Sequence, residues 1–148
     1  KKLDSIIADA DKIDKDDDEL RSHMAKYICI RVSGLMETFF KRQLANYLQG
    51  CTPKPIENYV NSRFKTFTSV NCKKITDTLV LFSEDWVRKF MKNLTEPMQT
   101  SLDSIVANRH NLAHGKDQGL TLTQVKGYYS NVKDVITLLE MIVTKNTR

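Results

Sequence analysis

With 148 residues, 41% hydrophobic side chains and only 5 Gly and 3 Pro, the chain is long enough to bury a core without disulfide or metal staples, and it suits one globular all-helical domain. Cys29, Cys51 and Cys72 are odd in number and too far apart for a Cys-x2-Cys zinc site or a disulfide framework, so they read as reduced thiols. The net charge is +5, but residues 1–20 hold four Lys against seven Asp and one Glu, a balance of −4 that leaves +9 on residues 21–148. Such a basic body favours a polyanion such as RNA, although a solvated lysine-rich surface would give the same count.

The chain opens on KKLDSIIADADKIDKDDDE, which has no signal-peptide apolar region. No apolar run approaches the ~18 residues that span a bilayer. The expectation is a soluble, cytoplasmic protein with no membrane partner, and a first residue of Lys is compatible with a segment of a longer protein. Leu3, Ile6, Ile7, Ala10 and Ile13 make a short helix with a weak stripe that docks loosely. Asp16, with Glu19 three residues later, is a helix start with negative charge in its first turn.

A long helix then runs to about Leu48 and stops at Gly50. Its apolar positions, among them Ile28, Val32, Met36, Phe40 and Leu44, form a stripe wide enough to need cover on more than one side, which marks the central core helix. Glu37 is either an exposed acid on this helix or a carboxylate paired with Arg109.

CTPKP, residues 51–55, is the clearest break, and Pro55 can open the next helix, which carries Ile56, Tyr59, Val60, Phe64 and Phe67. Thr68–Asn71 is a turn, with Asn71 capping a short helix through Ile75, Leu79, Val80 and Phe82. Ser83 caps another through Trp86, Val87, Phe90 and Leu94. Thr95, Glu96 and Pro97 open a helix that ends at AHG, with Gly115 as its C-terminal cap and His114 in its last turn. After the loop KDQGL, Thr121 and Gln124 read as a capping box for a long amphipathic C-terminal helix through about Val143. No strand alternation competes, and the expected architecture is an all-α bundle of five to seven helices.

One residue is out of place. At about 100° per residue, Met98, Leu102, Ile105, Arg109 and Leu112 share a stripe, so Arg109 sits where a core residue belongs. A guanidinium is costly to bury unpaired, so the stripe must meet an acid, a watery cleft or a subunit interface there. His110 lies about 100° further round and His114 about 140° from Arg109, so one straight helix does not bring Arg109 and His114 together. His110 and His114 are spaced to share a metal, but no third ligand and no His-Glu-x-x-His pattern accompanies them. No glycine-rich phosphate loop and no local nucleophile motif is present, and His23 reads as a surface histidine.

The segment Arg109-His110-Asn111-Leu112-Ala113-His114, closed by Gly115 and followed by a long helix, resembles the Arg-x4-6-His motif of the HEPN superfamily. SGLMETFFKRQL, with Glu37 inside it, also resembles the acidic position of several HEPN groups. The resemblance extends in helix pattern over most of the chain and implies a single HEPN-like domain over 1–148, with residues 1–15 as an acidic N-terminal helix. The RiboL-PSP type and the HEPN domains of antiviral systems are the groups it suggests.

It further implies a homodimer whose facing motifs form a composite site that cuts RNA without metal or cofactor, leaving a 2′,3′-cyclic phosphate and a 5′-OH. In that scheme Arg109 and His114 are catalytic, with His110, Asn111 and Glu37 supporting them. Roles as a toxin or antiviral effector, with an antitoxin or regulatory partner, follow from the same resemblance. HEPN toxins paired with nucleotidyltransferase antitoxins often carry a modified Tyr two residues after the His; Lys116 stands there in this chain. Two other readings remain: a non-catalytic HEPN module for RNA binding or dimerisation, and a helical interaction domain in which Arg109 pairs internally with Glu37.

Overall fold

Three helices supply most of the buried surface, and each is apolar at helical spacing. In the computed structural model, which describes residues 2–117 and 119–144, the elements in chain order are α1 (Lys2–Ala10), α2 (Asp18–Leu48), α3 (Lys54–Phe64), α4 (Cys72–Phe82), α5 (Glu84–Asn93), α6 (Glu96–Ala113) and α7 (Leu122–Ile142). Among the described residues there is no strand. The chain is therefore all-α, with the long α2 packed on the C-terminal α7 and α6 packed on both.

Ile28, Val32, Met36, Phe40 and Leu44 of α2 meet Leu102 and Ile105 of α6 and Val125, Val132 and Leu139 of α7 in one fully buried cluster. Truncating any of the larger of these side chains to Ala removes on the order of 2–5 kcal/mol. Within this core a polar pair links α6 to α7: the Asn131 amide donates to the Ser101 hydroxyl at 2.8 Å, and Ser101 is buried.

The smaller helices cover the ends. α4 and α5 pack as a pair, α5 lying on α7 and α4 on α6. Tyr47 of α2 meets Trp86 of α5 edge to face, with ring centroids 4.7 Å apart. α1 lies on α2 with Leu3 and Ala10 buried, and polar contacts tie it to α7. The Tyr129 hydroxyl donates to Asp4 at 2.9 Å, and Lys126 pairs with Asp11. No helix of the described residues is long and apolar enough to cross a membrane.

Local capping chemistry sets most boundaries. Asn71, Ser83 and Thr95 each accept a backbone N–H from the third residue beyond, and Thr121 with Gln124 forms a complete capping box. Three boundaries differ from expectation. The cap of α2 is Asp17, whose carboxylate accepts from Leu20 N at 3.0 Å; Asp14 takes the N–H of Asp16, which moves the helix start on by one residue. α1 ends at Ala10, and Ile13 reaches the core from the turns that follow. Phe67 lies beyond the end of α3, in the turn, where its ring packs 6.0 Å from Phe40 and 5.7 Å from Phe64.

That turn contains Ser69 at φ +57, a left-handed conformation that costs an ordinary residue about 1–2 kcal/mol. It is held from two sides. Glu37 accepts the Ser69 N–H at 3.3 Å, and the Lys74 ammonium donates to the Thr68 carbonyl at 2.8 Å.

Candidate functional site

Along α6 the core stripe of Met98, Leu102 and Ile105 is buried, and at Arg109 it reaches the edge of the core. Arg109 is half-buried, and among the described residues no carboxylate pairs with it. The expected partner, Glu37, is engaged elsewhere: it binds Lys41 at 3.3 Å, one turn along α2, and the Ser69 backbone. An internal Arg109–Glu37 pair is therefore not formed. Glu37 is a half-buried brace for the α3–α4 turn, and of its two contacts only the pair with Lys41, one turn along the helix, had a local signal. The interaction-domain reading that depended on the internal pair loses its basis.

His110 and His114 are both exposed and lie together, with ring centroids 4.5 Å apart at an interplanar angle of 60°. The structure thus gathers the two histidines at the helix end and leaves Arg109 half-buried. No hydrogen bond joins Arg109 to either histidine among the described residues. The pair gathers no third His, Cys, Asp or Glu in a metal-binding arrangement among those residues.

The end of α6 is fixed by backbone hydrogen bonds. His114 is the C-cap at φ −98, and Gly115 follows at φ +71. Gly115 N donates to the Leu112 carbonyl at 3.1 Å and Lys116 N to the Asn111 carbonyl at 2.8 Å. These two bonds make a Schellman cap, which satisfies the carbonyls the helix leaves open. Asn111 thereby contributes its backbone to the turn that positions His114.

The following loop is pinned to the core helix. Lys26 of α2 binds the Asp117 carboxylate, and Asp117 also accepts the Gly119 N–H at 3.0 Å. Lys26 first, then the Gly119 N–H, holds the Asp117 carboxyl below its ordinary range, and His23 adds an electrostatic contribution. Lys26 and His23 of α2 thus meet Asp117, three residues beyond His114 in the chain. A separation of 91 residues between Lys26 and Asp117 left no sequence pattern from which to find that contact.

Chemically, the end of α6 offers a cation with no carboxylate partner among the described residues, two accessible imidazoles and a turn closed by backbone hydrogen bonds. Such a set can bind an anion and move a proton beside it. A family model described as RiboL-PSP-HEPN matches residues 1–145 of the chain. No curated protein and no solved structure matches it.

Proposed function

From the chain's membership of the RiboL-PSP-HEPN family, we propose that it is a metal-independent endoribonuclease, working as a homodimer with a composite Arg/His site. The observation that carries this reading is Arg109, half-buried at the end of a core stripe with no carboxylate partner among the described residues, next to the exposed pair His110 and His114. A cation placed there is suited to a phosphate rather than to the fold's own acids. Because Arg109 and His114 diverge on one helix, a second copy facing the first would complete the set.

In the proposed reaction one His114 accepts the proton of a ribose 2′-OH, and the 2′-oxygen attacks the adjacent phosphorus. Arg109 neutralises the charge that builds on the non-bridging oxygens. The P–O5′ bond breaks, and the leaving oxygen takes a proton from water while His114 returns its own to solvent. The products are a 2′,3′-cyclic phosphate and a 5′-OH, with no proton gained or lost overall. Unrestrained, such an enzyme would attack cellular RNA, so a toxin or antiviral role with a regulatory partner belongs to the same proposal.

The test is cleavage of an end-labelled RNA by purified protein in chelator, with the ends identified chemically. Substituting His114→Ala or Arg109→Ala should slow cleavage by about a hundredfold or more while leaving helix content unchanged. Undiminished cleavage by His114→Ala would sink the assignment. RNA binding without cleavage by the wild-type protein would favour the non-catalytic module.

A further inference from the structure

A groove of about 670 Å³ lies between α3 and α4, lined by residues that include Tyr59, Arg63, Phe67, Lys74 and Leu81. It shares no residue with the motif of α6, and its size is within the ~300–1,000 Å³ of ligand clefts. Its surface is aromatic and basic at once. Tyr59 is 64% exposed and Leu81 83% exposed. Arg63 lies over the Tyr59 ring at 6.0 Å, and the Lys74 ammonium over the Phe67 ring at 4.8 Å.

The charge balance is one-sided. Glu57 and Asp77, the acids of α3 and α4, are bound by Lys54 and Lys73. Arg63, Lys65 and Lys74 have no carboxylate partner among the described residues. An apolar peptide helix laid in this groove would strip water from Arg63 and Lys74 without supplying counter-charge. A single RNA strand supplies phosphates to the cations and a base to the open face of Tyr59.

We propose that the α3–α4 groove is a second nucleic-acid site, which holds a single-stranded RNA segment by stacking on Tyr59 and by phosphate contacts to Arg63 and Lys74. This rests on the nuclease reading only in taking RNA as the polyanion. The groove grips the strand away from the scissile bond and so raises affinity without touching the reacting atoms.

The test is fluorescence anisotropy of the full chain with a labelled 2′-O-methyl oligoribonucleotide of roughly 12 nucleotides, which lacks the hydroxyl needed for cleavage. Tyr59→Ala weakens binding about tenfold, and Tyr59→Phe, which keeps the ring, restores it. Arg63→Ala weakens binding and lowers the salt slope by ~0.7. These residues are on the surface, and circular dichroism checks that each variant folds. Binding that is indifferent to all of these changes, or absent from the wild type, overturns the proposal and leaves the groove to a protein partner. Tyr59-dependent binding by a protein that cuts no RNA would overturn the nuclease reading and leave this one standing.

Discussion

Gly115 holds a left-handed backbone with open space where a side chain would be, so Gly115→Ala meets no clash and suffers only conformational strain. The expected loss is about 1 kcal/mol, read as a lower urea midpoint, with Gly115→Asn losing less because Asn tolerates this region. A loss of several kcal/mol would mean that the turn carries more than its cap. This glycine, like the caps Asn71, Ser83, Thr95 and Thr121, was legible in the sequence, because a cap and its hydrogen-bond partner lie within three or four residues. Glu37 was not legible in the same way. Its partner Ser69 lies 32 residues away, and nothing local distinguishes a carboxylate that braces a distant turn from one that awaits an arginine.

At the scale of the element, α1 depends on a hydrogen bond whose pH dependence can be worked out. Burial, and then the Asp4 carboxylate, push the Tyr129 hydroxyl up to about 12. The bonded form is the neutral phenol, so its contribution to stability is complete below the ordinary value near 10.0 and is lost as pH rises through about 12. In a spectroscopic titration of the five tyrosines, one should ionise near the top of that range, and Tyr129→Phe should remove that step. All five titrating near the ordinary value would refute the docking described for α1. The existence and order of the helices followed from apolar spacing and local caps, since α2 and α7 carry long stripes and that of α6 runs unbroken as far as Arg109. Which helix α1 touches did not follow, because an amphipathic segment this short fits several surfaces equally well.

At the scale of the whole molecule, the proposed site needs two copies, and that requirement has a distinctive test. Arg109→Ala and His114→Ala should each be inactive alone. Mixed and allowed to exchange subunits, they form heterodimers in which one of the two composite sites keeps an intact Arg and an intact His. Cleavage should return to about a quarter of the wild-type rate, from half the dimers with one working site each. If Arg109 and His114 of the same subunit act together, mixing restores nothing. The motif itself was legible as an arginine on a core stripe, but its surroundings were not. The Lys26–Asp117 tie joins residues 91 apart and required the fold.

The hydrogen bond between Ser101 and Asn131 has a bearing on how α6 is set against α7. If α6 slid along α7 by one turn, about 5.4 Å, the buried Ser101 hydroxyl and the half-buried Asn131 amide would part without replacements, at a cost of roughly 1–3 kcal/mol for each group left unsatisfied. The two helices are therefore indexed against each other in a single alignment. A residue inserted after Gly115 in this chain should therefore lengthen the loop and leave Arg109 in place. The loop after the motif can then change in length while the arginine keeps its station at the edge of the core.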